Sequence, residues 1–437
     1  MNLRPFQIII LGFFLALAVG GLIFFAVFRG FGGEPNPYGD SVEIWGTLEE
    51  PAIALAINEI TRDDQDFAVV TYVQKDARTF QNELVNAIAE GRGPDAVVLP
   101  SNLLVSERAK IYPIPYETLS ARAIRDTYVD GAEIFSFSDG VYGIPFAVDP
   151  LVMYWNRDLF STAGLASAPT TWEAMVGSAV PTLVRFADAP LYSIEQSAVG
   201  FGEYVNVTNA AEIMLMLMLQ AGSPLITERQ DGFYNVGLNT TTGETTRLPA
   251  DAALDFYTQF ANPARPNYTW NRSLPNDRNL FLAGDLAMYF GFGSEYTSLR
   301  AGNANLNFDA AAVPQGSSAI VKKNYGMLYS FSILRSSNNV AGAYNALSKL
   351  GMPEHVRPVL ETLGLAPAHR ALIAEGSPDP LRQTMYNMAL IVRGFLDPNS
   401  ASTENIIKTM IEDITSGRSR VGTAVGDAEG RLRQLLP

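Results

Sequence analysis

The chain has 437 residues, 47% of them hydrophobic and 17% charged, which exceeds what one hydrophobic core usually grows to and sets two domains as the expectation. Its 45 acidic residues outnumber 31 basic ones, and the formal charge of −14 repels phosphate backbones, so nucleic acid is excluded as an expected partner. Cysteine is absent, which removes disulfides, thiolate nucleophiles and a lipidated N-terminal cysteine; with only His355 and His369 besides, neither a metal nor a cofactor is expected.

The first predicted element is a membrane span. Ile8 to Phe28 is an unbroken run of apolar residues and glycines without charge, long enough for a helix to cross a hydrocarbon layer of about 30 Å. A secretory h-region is shorter, about 7–15 residues, and no small-x-small cleavage pattern precedes Arg29, so an uncleaved anchor is expected. Gly30, Gly32, Gly33, Pro35 and Pro37 then form a linker that resists regular structure. Residues 1–39 are therefore read as anchor and linker, with the acidic bulk on the outer side of the membrane.

From Asp40 the pattern alternates. Val42 to Trp45 reads as a strand, and Thr47 with Glu50, followed by Pro51, reads as a capping box opening a helix with Ile53, Ile57 and Ile60 on one face. Ala68 to Val73 is β-like, Phe80, Leu84, Ala87 and Ile88 recur at helical spacing, and Asp95 to Leu99 suits a buried strand. Such alternation predicts an α/β fold with a parallel sheet covered on both faces. Further on, Thr170 to Glu173 is a second capping box, and Asn209 with Glu212 opens a helix whose Ile213–Leu219 stretch is apolar all round and must be buried. Leu286 to Phe290 and Tyr329 to Leu334 are strand candidates, and Thr403 to Leu436 is helical with a break at Ser416-Gly417.

Several stretches in one order resemble a known family. They are Tyr142-Gly-Ile-Pro145, Tyr154-Trp-Asn-Arg-Asp-Leu-Phe160, Ala163-Gly-Leu165, Pro169-Thr-Thr-Trp-Glu173, Leu219-Gln-Ala-Gly222, Phe281-Leu-Ala-Gly-Asp-Leu-Ala-Met-Tyr289 and the tail from Met410 to Gly417. Together, from about residue 40 to the end, they are similar to the family 1 extracellular solute-binding proteins, the maltose-binding-protein-like group. The resemblance implies a periplasmic-binding-protein-like fold of two discontinuous α/β lobes joined by a hinge, 40–148 with 309–346 and 149–308 with 347–437. It also implies a small ligand, a sugar or oligosaccharide, captured between the lobes and delivered to ABC permease subunits, with no catalysis.

Ligands of open α/β sheets sit beyond the carboxyl ends of strands, and sugar sites pair carboxylates and amides with flat aromatic platforms. Thr47 and Glu49 follow the first predicted strand, where the alternative is helix capping alone, and Ser101 follows the third. Asp149 stands at the expected crossing between lobes, able to accept ligand hydroxyls or to fix the hinge. Trp270 and Asn271 lie in a polar loop, Glu295 and Tyr296 follow a glycine-flanked strand end, and Tyr204, Asn206 and Tyr325 flank buried elements. Two other functions stay open: a membrane-anchored receptor that senses ligand without transport, and a surface glycoside hydrolase using Asp149 and Glu295 as its carboxylate pair.

Overall fold

The computed structural model describes residues 15, 17–20, 36–188, 193–241 and 248–436. The proposed span Ile8–Phe28 falls largely outside these residues; of it, Leu15 and residues 17–20 are described as helical and exposed. Among the described residues no helix is long and apolar enough to cross a membrane.

In chain order the first sheet collects β1 (Val42–Gly46), β2 (Val70–Gln74) and β3 (Ala96–Pro100), all parallel. Between them run α1 (Glu50–Asp63) and α2 (Phe80–Ala89), each burying one apolar stripe, Ile53, Ala56 and Ile60 in α1 and Phe80 and Leu84 in α2. α1 starts differently from expectation. Its cap is Glu49, Pro51 sits in its first turn, and the Glu50 amide donates to Gln74 Oε1 at 3.0 Å, so Thr47 lies before the helix and closes no capping box.

The chain then enters a long strand, β4 (Ile144–Asn156), buried along nearly all its length. The second sheet adds the short β5 (Arg185–Phe186), β6 (Ile194–Val199), β9 (Leu286–Phe292) and β10 (Phe308–Ala311), with a separate hairpin of β7 (Leu225–Glu228) and β8 (Tyr234–Gly237). β11 (Asn324–Ile333) returns to the first sheet, antiparallel to both β3 and β4. The strand order is thus β2-β1-β3-β11-β4-β9-β6-β5. The sheet is mixed rather than purely parallel, because the strands joining the lobes run against their neighbours.

β4 is a member of both sheets. Its first half pairs with β11, from Ile144 opposite Phe331 to Pro150 opposite Gly326; its second half pairs with β9, from Leu151 opposite Phe292 to Trp155 opposite Met288. The exchange falls at Pro150, whose missing N–H suits a point where one ladder ends and another begins. Opposite it, a Cβ on Gly326 would meet the Asp149 carbonyl at 2.8 Å and Pro150 Cα at 3.0 Å, so only glycine lets the strands cross this closely.

The second sheet is covered by α3 (Ala210–Ala221), whose residues Ile213 to Leu219 are all buried as the pattern required, and by α4 (Pro249–Thr258) packed on it. α3 stops at Gly222, in left-handed conformation at φ 100°, while the Ser223 amide donates to Met218 O at 2.9 Å. Thr171 caps the helical turn at Trp172, its Oγ1 accepting from the Ala174 amide, and the Trp172 ring stacks on Phe290 in the core. α5 (Glu295–Gly302) follows β9.

Two segments depart from the expected lobe assignment. Residues 309–311 pair with Met153 to Trp155 and so extend the second sheet, whereas α7 (Pro353–Leu363) packs on α1 beside the first, next to α6 (Val340–Leu350), whose last turn alone lies beyond the expected boundary. The chain finishes with α8 (Pro380–Ala389) lying across β4, then α9 (Ser400–Thr415) and α10 (Val421–Leu435), which pack on each other and on α4 with a break at Ser416-Gly417.

Candidate functional site

The carboxyl ends of β1, β2 and β3 approach the Asp149–Pro150 crossing from one side, and those of β6 and β9 approach it from the other. Loops and helix starts from both sheets therefore converge there, as open α/β sheets require of a ligand site. Asn102, just after β3, reaches across: its Nδ2 donates to Ser400 Oγ at 3.2 Å at the start of α9.

Three carboxylates and three tyrosines gather at this gap. Glu212 is the third residue of α3, Glu404 lies in the first turns of α9, and Asp397 precedes α9, accepting from Thr403 Oγ1 at 2.6 Å and the Asn399 amide at 3.1 Å. Burial, then the charges of Glu404, Glu295 and Asp397, push the Glu212 carboxyl up to about 7. Burial, then Glu404, Glu212 and Glu412, raise the Tyr204 phenol to about 12; burial, then Glu212 and Asp397, raise Tyr325 well above its ordinary value. Tyr329 is raised by burial and then by Asp149. None of these three phenols makes a hydrogen bond among the described residues.

Of the residues singled out from sequence, Tyr204 and Tyr325 join this cluster. Thr47 and Glu49 stand at the rim, beyond the end of β1, with Glu49 exposed. The others serve the scaffold. Trp270 is fully buried and its Nε1 donates to Asn206 Oδ1 at 3.1 Å, so it is a core residue and not a sugar platform. Asn206 in turn donates from Nδ2 to the carbonyls of Asn271 and Leu274, and the Asn271 side chain bonds Tyr268 and Ser273, so both amides tie loops together. Ser101 Oγ accepts from the Leu328 amide at 3.2 Å and closes the β3–β11 junction.

Glu295 is likewise engaged, accepting from Tyr289 Oη at 2.6 Å, Phe292 N at 2.8 Å and Asn209 Nδ2 at 2.9 Å, and Tyr296 packs its ring against Phe308. The glycines beside them admit protein atoms: a Cβ on Gly293 would meet Met385 of α8 at 2.5 Å. Asp149 is also engaged by the scaffold, accepting from Ser294 Oγ at 2.6 Å and Ser294 N at 3.1 Å. The sequence reading missed Glu212 as a site residue because its spacing from Asn209 matched a capping box. In the fold Asn209 bonds Glu295 instead, and the half-buried Glu212 lies within the fields of Glu404 and Asp397.

Burial pushes the Asp149 carboxyl up to about 7, ahead of the lowering effect of Ser294. A carboxyl whose pKa rises on folding makes the folded state the better proton binder, so stability is complete at low pH and is lost as pH rises through the folded value. Asp149 and Glu212 together predict a gain of roughly 1.5 kcal/mol between pH 8 and 6.5, or about 2 °C in melting temperature. Below that window His369, lowered by burial, works in the opposite direction. Asp149→Asn keeps an acceptor for Ser294 and should remove about half of the gain in a pH series of thermal melts; an undiminished rise places its source elsewhere.

A second bridge joins the lobes at the rim. Arg108, from the first lobe, pairs with Glu228 of the β7–β8 hairpin at 2.8 Å, donates to Tyr234 Oη at 2.9 Å and reaches Asp139 at 3.0 Å. Its guanidinium lies 3.9 Å from the Phe137 ring centre, and Glu228 also accepts from the Ser138 amide at 2.9 Å.

Putative binding proteins of Brucella abortus and Brucella suis are 21% identical over 342 residues, 78% of this chain and 74% of theirs. Among solved structures, a cyclo/maltodextrin-binding protein complexed with maltotetraose superposes with a TM-score of 0.73 at 16% identity, covering 92% of this chain and 97% of its own. The GacH receptor of Streptomyces glaucescens, studied unliganded and with acarbose, gives 0.65 at 16% identity over 91% and 98%. An ABC transporter solute-binding protein of Thermotoga lettingae bound with α-D-tagatose gives 0.63 at 17% identity over 91% and 100%. These likenesses establish the two-lobed, periplasmic-binding-protein-like fold. A family model matches residues 56–380, and the chain accordingly belongs to the bacterial extracellular solute-binding proteins.

Proposed function

We propose that the protein captures a small solute, a sugar or sugar-like molecule, between its two lobes outside the cytoplasmic membrane and presents it to the permease of an ABC importer. The observation that carries this reading is the gap at the Asp149–Pro150 crossing, where Asn102 of the first lobe bonds Ser400 of the second and the hydroxyls of Tyr204 and Tyr325, unbonded among the described residues, lie in the fields of Glu212 and Glu404. Proteins of the same fold hold maltotetraose and α-D-tagatose, which supports a saccharide-sized guest. The apolar run Ile8–Phe28 supports tethering to the membrane. The hinge comprises β4 at Asp149–Pro150 and β11 at Asn324–Gly326. A hydrolase is disfavoured, since Asp149 and Glu295 both spend their oxygens on internal donors.

Ligand that bridges the lobes must favour the closed arrangement over the open one, because only differential affinity shifts such an equilibrium. The cysteine-free sequence makes this measurable. Fluorophores on Arg78→Cys and Arg433→Cys, both exposed and on different lobes, should move closer when a bound saccharide or related solute is added to the full-length protein. A broad panel that changes neither this distance nor the melting temperature would defeat the reading.

A further inference from the structure

Beside the tyrosine hydroxyls, the polar groups at the gap are acceptors, namely Asn102 Oδ1 and the carboxylates of Glu212, Asp397 and Glu404. Asn102 spends its Nδ2 on Ser400, while its Oδ1 is buried with no hydrogen-bond partner. Glu212 accepts only its own backbone N–H, and neither Glu212, Asp397 nor Glu404 forms an ion pair among the described residues. Arg272 grips Glu203 at 2.8 Å and Arg278 lies 3.8 Å from Glu295, while Lys408, one turn along α9 from Glu404, forms no ion pair among the described residues. Tyr325, only 5% exposed, aims an unbonded hydroxyl into the field of the same three carboxylates.

The buried Asn102 Oδ1, the half-buried Glu212 and the buried Asp397, whose carboxyls burial and neighbouring acids push up, and the exposed Glu404 beside them would all be relieved by a guest that brings both donors and positive charge. A neutral saccharide has donors but would leave the charge in place; an ammonium group has three donors, no acceptor and a full positive charge, and hydrogen bonds between ions are about twice as strong as neutral ones. We propose that the ligand of this gap carries a protonated amine, held by Glu212, Asp397 and Glu404 with the Tyr325 hydroxyl and Asn102 Oδ1 beside them. This rests on the solute-binding reading above and sharpens it. The amine can come from an amino sugar or from a linear polyamine, and the tyrosines offer flat faces to either carbon frame.

The test is calorimetric titration of the full-length protein with the fully deacetylated glucosamine trimer, its N-acetylated counterpart, maltotetraose and spermidine, with the two-fluorophore distance read alongside. Binding and closure with the glucosamine trimer, at least tenfold tighter than with the N-acetylated trimer, supports an amino sugar. The same response confined to spermidine supports the amine and assigns it to a polyamine. Closure by maltotetraose or the N-acetylated trimer equal to or stronger than by either amine overturns the inference and leaves the solute-binding reading standing; no closure with any of the four counts against both.

Glu212→Gln preserves the acceptor for its backbone N–H and should weaken the amine at least tenfold without lowering the melting temperature, and Tyr325→Phe should weaken it several-fold. Unchanged affinity in both variants overturns the assignment to these residues.

Discussion

Trp270→Ala is expected to destabilise the second lobe by about 3–5 kcal/mol, the usual consequence of emptying a fully enclosed aromatic site. The indole is wholly buried, and its Nε1 satisfies the same Asn206 amide that braces the Asn271 and Leu274 carbonyls. The backbone amides of Thr269 and Trp270 both donate to the Phe260 carbonyl, so the loop is stitched to the end of α4 around that ring. Loss of the ring removes apolar burial, opens a cavity and deprives Asn206 Oδ1 of its donor. Guanidinium unfolding should show the midpoint moving down strongly, while the folded fraction binds ligand within about twofold of the parent. Retained stability with abolished binding would return Trp270 to the ligand gap.

Arg108→Ala should loosen the closed arrangement without unfolding either lobe. The substitution deletes the pair with Glu228, the bond to Tyr234 and the contact with the Phe137 ring, and it leaves Glu228, whose side chain is 12% exposed, without its cation. Hydrogen bonds to charged groups contribute about 1.5–3 kcal/mol each. If about that much is lost from the closed form alone, apparent affinity falls roughly 10- to 100-fold, because the binding-competent fraction falls by the same factor. The distance between labels on residues 78 and 433 should lengthen, and a double-mutant cycle with Glu228→Gln should return a coupling of about 1–3 kcal/mol. An unaltered distance together with unaltered affinity would show that this bridge does not contribute to closure.

Much of the fold was legible because hydrophobic period, strand length and glycine placement agreed over β1 to β3 and again over α3, where an all-round apolar surface could only be interior. β11 was recognised only in part. Its beginning, Asn324-Tyr-Gly-Met, has neither alternation nor a continuous apolar run, since it is buried on both sides where the two sheets meet. The position of 309–311 was illegible for a related reason: short edge strands take their partner from tertiary fit, and Phe308 to Ala311 suits either sheet by composition.

The site was harder to read. Trp270, Asn206 and Glu295 have the side chains a sugar site needs, but sequence does not reveal which way a loop turns; Asn206 and Glu295 turned inward to satisfy backbone groups, and Trp270 to satisfy Asn206 Oδ1. Glu212 shows the converse. Its spacing fitted a local role, but Asn209 bonds Glu295, a contact spanning 86 positions in the chain, and caps nothing with its side chain.

The strand from Ile144 to Asn156 has a consequence for how such a protein can diversify. Because one segment completes both sheets, severing it at Pro150 would leave each half with an open hydrogen-bonding edge and an unfinished interior. Chimeras that swap one half between homologues must therefore inherit this strand with both sets of neighbours matched, and new specificities are more readily acquired by altering the loops that overhang it.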